Sequence, residues 1–345
     1  MQIAHRIPII DINGLHRELQ ICIGDATDGH SIGPVDLLAI SCFPDDYWPR
    51  EGTIVGRLKA QGVDIGKLAL RKEKDWRAKW QTWISINLPE GAGIRRLACF
   101  EHGDKVSPAA AVGNLFRAVS EWVLSSDSAD LGVLRIPLLS TGDQRADKRS
   151  MLESITRQAY AHLRGALPVR AVQIVLYEKD PNLGALMLHT GILIEQTVTE
   201  WRMSKLAEVP THDFFISYRH HDRSLVQELV GHMKARRSDL KVFLDHQELA
   251  PGVFWKPELV AGIHNARHVL CFITDSYPDS AECVDEFHAA LCCSRYRRGF
   301  LRPLLHLTKR ELASLPSIFQ KVNLIDASCP PRSMSDVMDD VLSAS

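Results

Sequence analysis

The stretch Asp213-Phe-Phe-Ile-Ser-Tyr-Arg219 decides the fold of the C-terminal half of this chain. Its apolar centre is typical of a strand buried on both faces, and a polar turn ends it. Val242-Phe-Leu-Asp245 predicts a second strand, which a polar loop follows up to Pro251-Gly-Val-Phe-Trp255. Ser280-Ala-Glu-Cys-Val-Asp-Glu286 then begins a helix that carries carboxylates. This order predicts an open parallel sheet, which binds ligands at the carboxyl ends of its strands.

With these segments in this order, residues 211–345 resemble a TIR domain (Toll/interleukin receptor type) of the bacterial sort that often cleaves NAD. The resemblance is carried by three boxes, which are Phe215-Ile-Ser-Tyr-Arg219 with Asp222, Phe243-Leu-Asp245 through Gly252 and Trp255, and Cys283-Val-Asp-Glu286. The last box of the family usually begins Trp-Cys, and Glu282 replaces that tryptophan here. The resemblance implies a flavodoxin-like parallel sheet. Glu282 leaves this expectation unchanged and places a second carboxylate beside the expected one.

Cleavage of nicotinamide from NAD needs negative charge beside the ribose. The pyridinium leaves as a neutral group without a proton donor, and the ribose becomes oxocarbenium-like, as in glycoside hydrolysis. The resemblance places the catalytic carboxylate at Glu286. Glu282 lies one turn earlier on the same helical face. The alternative is that both are solvated acids near a helix start, where the helix dipole favours them.

The resemblance also implies an NAD pocket built from residues at the strand ends and in the loop. Its expected members are Ser217, Tyr218, Arg219, Asp245, Trp255 and Ser276. An aromatic ring supplies stacking, and a guanidinium pairs with a diphosphate. The alternatives remain open that Tyr218 and Trp255 pack at the core edge and that Arg219 pairs with Asp222. The serines and Asp245 are equally typical of turns at strand ends.

The N-terminal half alternates strand and helix signals, which predicts a three-layer α/β/α domain. Ser107-Pro108 predicts the start of a helix, because serine caps a helix and proline is favoured at the first helical position. A second helix is expected over residues 150–163. Strands are expected at residues 7–12, 19–23, 35–41, 133–139 and 172–177.

This half resembles a macro domain, more loosely. The matching segments are Ile23-Gly-Asp-Ala-Thr27, residues 35–40, Gly52-Thr-Ile-Val-Gly56 and Ile136-Pro-Leu-Leu-Ser-Thr-Gly142. The resemblance implies an ADP-ribose-type nucleotide, with Asp25 at the adenine and with Ser140, Thr141 and Gly142 around the diphosphate. Glycine lets backbone N–H groups approach a phosphate closely. For Asp25 the alternative is an Asx turn before Thr27. Ile40-Ser-Cys-Phe43 replaces the family's Asn-Ala-Ala-Asn, which argues against ADP-ribose hydrolysis.

Length and composition fit a two-domain cytosolic protein. The 345 residues predict domains at 1–183 and 211–345 joined by a connecting helix at 184–210. A formal net charge of −1 implies no general attraction to nucleic acid or to anionic membranes. No apolar run reaches the ~20 residues that a membrane span needs. The N-terminus lacks a signal-peptide pattern. The eight cysteines lie in hydrophobic or helical segments, which favours a reducing, cytoplasmic location.

Two further patterns allow a second interpretation. Trp76, Trp80 and Trp83 stand at helical spacing among basic residues, which predicts a core-facing tryptophan stripe rather than a nucleic-acid surface. His264 and His268 are one helical turn apart, but no His-Glu-x-x-His pattern accompanies them, so we expect no metal site.

Taken together, these resemblances imply an NAD hydrolase of bacterial antiviral defence, which forms linear, cyclic or conjugated ADP-ribose. NAD is the substrate, and no permanently bound cofactor is expected. By resemblance, the partners are further copies of the chain through their TIR domains and a partner defence protein, and no nucleic acid or membrane. Two alternatives remain open: a non-catalytic TIR scaffold that acts through Ala250-Pro-Gly252, and a receptor gated by a nucleotide on the macro-like half.

Overall fold

The computed structural model describes residues 1–101, 107–125, 131–142, 144–203, 210–244, 257–328, 332–333 and 335–343. These residues divide into two compact units. The first holds Met1–Arg202, and the second holds the described residues from Met203 onward. The domain boundaries expected from the sequence, at 183/184 and 210/211, remain a prediction.

An eight-stranded mixed sheet forms the centre of the N-terminal unit. The strands are β1 (Gln2–Ile10), β2 (His16–Ile23), β3 (Val35–Cys42), β4 (Lys72–Trp76), β5 (Thr82–Ser85), β6 (Ile94–Glu101), β7 (Leu131–Pro137) and β8 (Val169–Leu176). Their order in the sheet is β1-β2-β8-β7-β3-β6-β5-β4. The central run from β2 to β6 is parallel, and antiparallel strands flank it at both sides. Parallel strands therefore end together at one edge, where ligands bind in such sheets.

Helices cover both faces of this sheet. They are α1 (Ile54–Ala60), α2 (Ile65–Ala69), α3 (Arg77–Trp80), α4 (Pro108–Ser125), α5 (Lys148–Arg164) and α6 (Leu183–Met203). On one face, Leu58 of α1 and Ile65 of α2 pack in a core cluster with Leu38 and Ile40 of β3. Helices α4 and α5 pack against each other, and α5 also contacts β2 and β8. The predicted α/β/α layers are therefore present.

Local capping explains where helices α4 and α5 begin. The Oγ of Ser107 accepts a hydrogen bond of 3.3 Å from the backbone N–H of Ala110, as the Ser-Pro pair predicts. Asp147 caps α5 by accepting from the backbone N–H of Ser150 at 2.8 Å. Helix α5 then buries an apolar face that includes Leu152 and Ile155.

The three tryptophans with helical spacing do not share one helix. Trp76 ends strand β4, Trp80 ends the short helix α3, and Trp83 lies in β5. Gln81 takes a left-handed φ of 54°, which ends the helix between the two strands and turns the chain into β5. Trp80 and Trp83 are nevertheless buried, as a core-facing stripe requires. Their indole N–H groups donate to buried carboxylates of Glu121 and Glu101 at 3.2 and 2.6 Å.

Helix α6 follows the last strand of the N-terminal sheet in the chain and packs against helix α5. Trp201 is buried, and its ring lies 5.8 Å from that of Tyr160 in α5. Glu200 pairs with Arg157 at 2.6 Å. Among the described residues, we find no helix whose length and apolar character suffice to span a membrane.

The C-terminal unit contains a five-stranded sheet in the order β10-β9-β11-β12-β13, and every pairing is parallel. The strands are β9 (His212–Ser217), β10 (Val242–Leu244), β11 (Ala266–Thr274), β12 (Leu301–His306) and β13 (Ile325–Asp326). The helices are α7 (Arg223–Arg236), α8 (Pro257–His264), α9 (Ala281–Ser294), α10 (Ser317–Gln320) and α11 (Met338–Leu342). The predicted flavodoxin-like, all-parallel sheet is confirmed.

Strand β9 is buried on both faces, which explains its continuous apolar sequence. Phe214 and Ile216 point into a cluster with Leu229 of α7 and Met338 of α11. Phe215 is fully buried as well. On α9, Phe287 packs on Phe319 of α10 at 4.4 Å between ring centroids. Ser217, at the end of β9, is therefore held in a rigid setting.

Candidate functional site

A cavity of about 420 Å³ lies in the N-terminal unit at the carboxyl ends of β3, β7 and β8. Its walls come from the segments that follow those strands, together with Gly24 and Ala26 after β2. The expected glycine segment contributes residues 52–55, and α1 begins there with Thr53 as its cap. A volume of this size lies within the ~300–1,000 Å³ range of small-ligand pockets. The cavity occupies the edge at which the sequence predicts a nucleotide.

The segment after β7 brings Ser140, Thr141 and Gly142 together in the cavity wall. Ser140 has a left-handed φ of 59°, and its N–H donates to the Oγ of Ser41 at 2.8 Å. The Oγ1 of Thr141 donates to the carbonyl of Leu138 at 2.8 Å. A Cβ added to Gly142 would meet no atom within 4 Å. The segment is thus held by its own hydrogen bonds while Gly142 borders open space, and its contact with a diphosphate remains a prediction.

Asp25 forms the Asx turn that the sequence left open as an alternative. Its Oδ1 accepts from both the N–H and the Oγ1 of Thr27, each at 2.9 Å. Its Oδ2 pairs with the Nε of Arg57 at 3.1 Å. The neighbours Gly24 and Ala26 contribute to the cavity wall. The carboxylate therefore shapes the edge of the cavity, and its contact with an adenine remains a prediction.

Arg135 is a residue that sequence reasoning missed. It lies in β7, is 0% exposed, and donates from Nε to the Oε1 of Gln173 at 2.9 Å. Its Nη1 donates to the carbonyls of Ala26 and Asp28. Burial lowers the pKa of Arg135 to about 10, against the opposing charges of Cys22, Asp28 and Asp25. The guanidinium therefore holds the 24–28 segment in place. The sequence signal that could have revealed this role is a charged arginine inside an apolar strand.

Four of the charged side chains around the cavity form two pairs. Arg50 pairs with Asp46 at 2.8 Å, and Lys148 pairs with Asp180 at 2.6 Å. All four of these residues line the cavity. These pairs are polar but add no net charge to the wall, so that backbone N–H groups, aromatic rings and the remaining charges add to the recognition of a ligand.

In the C-terminal unit, Ser217 is joined to helix α9 through Tyr277. Both residues are fully buried, and the Oγ of Ser217 lies 2.6 Å from the OH of Tyr277. That hydroxyl donates to the carbonyl of Cys283 at 3.0 Å. Tyr218, the next residue of the expected pocket, packs in the core cluster of β9, which corresponds to the alternative for this ring.

Arg219 and Ser276 meet at the neighbouring strand ends. The Nη1 of Arg219 donates to the carbonyl of Ser276 at 2.9 Å. The carboxylate of Asp222 is engaged instead by the Oγ1 of Thr274 at 2.6 Å and by His221 at 3.3 Å. His221 uses the same Nε2 for the Oγ of Ser276 at 3.2 Å. Because a nucleophile-activating histidine uses its two different nitrogens, this cluster is not a hydrolase triad.

Glu286 lies in α9 and is only 5% exposed, so it is not a solvated surface acid. Burial first, and then the carboxylate of Glu286, raise the pKa of Cys271 to about 12, against hydrogen bonds from Tyr277 and Ser217. Glu286 thus acts electrostatically on Cys271 and on the hydroxyl of Tyr277, whose pKa burial and nearby carboxylate and thiol groups raise. Glu282, one turn earlier, is partly exposed in the first turn of the helix.

Asp245 and Trp255 lie outside the described residues, as does the segment 250–252. Their expected places beside the substrate are therefore untested. Within the described ranges, we find no three His, Cys, Asp or Glu side chains grouped closely enough to hold a metal ion.

The C-terminal unit has a counterpart among known protein families. Residues 214–336 match the family model described as "TIR domain". This part of the chain is a TIR domain. The three boxes and the helix of Glu286 lie within the matched residues, as does the parallel sheet except for the first two residues of β9. No curated protein matches the chain significantly.

The N-terminal half is similar to solved macrodomains. The Oceanobacillus iheyensis macrodomain with MES bound is 14% identical, with a TM-score of 0.42 over 56% of this chain and 98% of that chain. The same macrodomain with ADP is also 14% identical, with a TM-score of 0.42 over 57% of this chain and 100% of that one. Similarity at this level decides nothing about a ligand. What characterises the macro-like half is therefore its own α/β/α layers and its cavity.

Proposed function

We propose that the TIR domain hydrolyses NAD, with Glu286 as the carboxylate that stabilises the ribosyl cation. The observation that supports this most is the burial of Glu286 on α9, the helix whose Cys283 carbonyl accepts from the Ser217–Tyr277 hydroxyl pair at the end of β9. In the step, the bond between the ribose C1′ and the pyridinium nitrogen breaks, and nicotinamide leaves as a neutral molecule. Water adds to C1′ and releases one proton, which gives ADP-ribose. A fixed carboxylate at reduced dielectric stabilises the developing cation more than water does.

Around this step, the strand-end residues would hold the substrate. Arg219 carries five N–H donors, of which the contact with Ser276 uses one, so its guanidinium suits a diphosphate. Ser276 would complete the pocket, with Asp245 and Trp255 by resemblance, while the buried Ser217 and Tyr218 would support it from the core. Attack on C1′ by a group of the nucleotide itself, instead of water, would give a cyclic or conjugated product.

We also propose that the macro-like half binds an ADP-ribose-type nucleotide. The cavity of about 420 Å³, with the 140–142 segment in its wall, supports this role. The two activities fit each other chemically, because one half releases the kind of molecule that the other would hold. By the same family resemblance, the protein would act in the cytoplasm in bacterial antiviral defence and would assemble through its TIR domains.

Nicotinamide release tests the hydrolase proposal. The full chain at high concentration, with NAD and a molecular crowder, is expected to release nicotinamide that mass spectrometry detects together with the ADP-ribose product. Glu286→Gln removes the charge at equal size and is expected to lower the rate at least about 100-fold, in the range that removal of an electrostatic stabiliser costs. Glu282→Gln is the matched control one turn away. Equal rates in the two variants would contradict the role of Glu286.

The cavity also favours a second candidate function, a receptor in which a nucleotide on the macro-like half switches the TIR domain. In that case ADP-ribose added before NAD would raise both particle size and the rate of nicotinamide release. An enzyme without a receptor role would show the same rate with and without the added nucleotide. A TIR scaffold without catalysis would release no nicotinamide under any of these conditions.

A further inference from the structure

Two exposed aromatic side chains belong to the cavity of the macro-like half. Trp48 is 73% exposed, Tyr177 is 37% exposed, and both line this cavity. Indole and phenol rings on the surface have a large apolar area in contact with water, which favours stacking with a planar ligand group. Aromatic platforms of this kind bind bases through their π-faces.

The order of the strands separates the two rings. Trp48 follows β3 and Tyr177 follows β8, and β7 lies between those two strands in the sheet. The 140–142 segment follows β7 directly and lines the same cavity. Neighbouring strands are ~4.8 Å apart, so the two strand ends stand roughly 10 Å apart with the expected diphosphate segment between them. The two rings are thus attached on either side of the 140–142 segment, an order that suits a ligand with a planar group at each end and phosphates in its middle.

The turn at Trp48 is ordered by its own hydrogen bonds. The backbone N–H of Trp48 donates to the Oδ1 of Asp46 at 3.1 Å, and the N–H of Arg50 donates to the carbonyl of Trp48 at 2.9 Å. Arg50 also pairs with Asp46 at 2.8 Å. The indole is thus presented from a fixed backbone, so little backbone freedom is lost when a ligand stacks on it.

The surroundings of the indole favour a positively charged ring. On the segment that carries Trp48, Asp46 is balanced by its pair with Arg50, so Glu51 leaves one net negative charge there. The face of an indole attracts cations, and tryptophan does so best among the aromatic residues. An oxidised pyridinium ring combines a positive charge with a stacking face, whereas a dihydropyridine ring is neutral.

At the other end of the cavity, the ring of Tyr177 contacts the guanidinium of Arg57. The guanidinium of Arg57 lies 4.9 Å from the centre of its ring, and Arg57 pairs with Asp25. A guanidinium at this ring would repel a pyridinium, so the Tyr177 end suits the neutral adenine. The Trp48 end is therefore left for the charged ring.

We infer that this cavity recognises an intact pyridine dinucleotide in its oxidised form, NAD, in preference to ADP-ribose, with Trp48 stacking on the pyridinium ring. The inference rests on the proposed nucleotide-binding role of the cavity and narrows the ligand class. It makes the macro-like half a sensor of the substrate of the TIR domain rather than a store for its product.

Calorimetric titration of the full chain tests this inference. The chain carries Glu286→Gln so that turnover does not consume the ligand, and it is titrated with NAD, NADH and ADP-ribose. We expect NAD to bind at least about tenfold more tightly than the other two, since a stacked base contributes roughly this much. Trp48→Ala should remove the preference for NAD while it changes the affinity for ADP-ribose less than about twofold. Trp48→Phe should retain most of the preference. The dependence on Trp48 assigns the binding to the cavity and not to the TIR domain.

Leu70→Ala is the matched control, because Leu70 is 85% exposed in the same unit and lies outside the cavity wall. Equal affinities for NAD and ADP-ribose would overturn the inference and leave the proposed ADP-ribose pocket in place. An equal loss for both ligands in Trp48→Ala would overturn it as well. If the chain bound none of the three ligands, the proposed role of the cavity itself would fail.

Discussion

The Oγ of Ser217 and the OH of Tyr277 lie 2.6 Å apart at a position with no access to solvent. Ser217 ends strand β9, while Tyr277 precedes helix α9 and donates to the carbonyl of Cys283 in its first turn. The hydroxyl of Tyr277 therefore couples the strand end of the proposed NAD site to the helix that carries Glu286. A single atom thus connects two parts of the site that lie far apart in sequence.

Tyr277→Phe is expected to destabilise the TIR domain by about 1–3 kcal/mol, because it leaves the buried hydroxyl of Ser217 and the carbonyl of Cys283 without this partner. We also expect a fall in the rate of nicotinamide release at saturating NAD, since Glu286 loses an anchor of its helix. Denaturant unfolding and single-variant kinetics measure the two effects. Tyr296→Phe is the control, because Tyr296 is 50% exposed. Unfolding curves that match the parent chain would show that the hydroxyl pair contributes nothing.

Gly142→Ala separates ligand binding from folding in the macro-like half. A Cβ at this position meets no atom within 4 Å, so we expect folding stability to change by less than about 1 kcal/mol. A nucleotide whose diphosphate contacts the 140–142 segment would meet the new methyl group, and its affinity should fall about tenfold, or about 1.4 kcal/mol. Calorimetry with ADP-ribose and thermal unfolding check the two halves of this prediction.

The control for Gly142 is Gly191→Ala, which also places a Cβ in open space but on helix α6. Alanine is favoured over glycine inside a helix by up to about 1 kcal/mol, so this variant should be slightly more stable and bind nucleotide normally. Unchanged affinity in Gly142→Ala would separate the 140–142 segment from the ligand.

The sequence predicted elements whose cause is local. The Ser107-Pro108 cap marks the start of α4, and the unbroken apolar run 214–216 marks a strand that is covered on both faces. The spacing of the tryptophans did not identify their elements, because the same spacing fits one long helix and also a short helical turn between two strands. The left-handed Gln81 that ends this turn carries no sequence signal of the strength of a glycine.

Contacts between distant residues could not be predicted in the same way. Arg135 reaches the carbonyl of Ala26, which is 109 positions away, and Tyr277 reaches Ser217, which is 60 positions away. A buried arginine in an apolar strand signals that a partner exists, but only the sheet order identifies the partner. The expected cavity residues 140–142 were found because glycine and hydroxyl residues after a buried strand form a local pattern.

Arg135→Met is expected to destabilise the macro-like half by about 2–4 kcal/mol, since it leaves the carbonyls of Ala26 and Asp28 and the amide of Gln173 without this donor. The 24–28 segment would also lose its support, which should weaken nucleotide binding. Arg170→Met, an exposed position on the neighbouring strand β8, is the control. Thermal unfolding measures the stability of the two variants, and calorimetry measures their affinity for ADP-ribose. Equal stability and equal affinity in Arg135→Met and Arg170→Met would contradict this role.

Asp275 is expected to make the TIR domain sensitive to acid. Burial raises the pKa of Asp275, but hydrogen bonds from the Oγ1 of Thr308 and from the N–H groups of Arg310, Lys309 and Thr308 outweigh it and lower the value to about 2. The unfolded value is about 3.9. Because the folded pKa is the lower one, the stabilisation is complete above about pH 4 and is lost as the pH falls towards 2. We expect this stabilisation to contribute about 1 kcal/mol to the free energy of unfolding after solvent screening.

Urea unfolding between pH 2 and 6 measures this loss of stability. The loss should disappear in Asp275→Asn but persist in Asp326→Asn. An identical pH profile in Asp275→Asn and the parent chain would refute it.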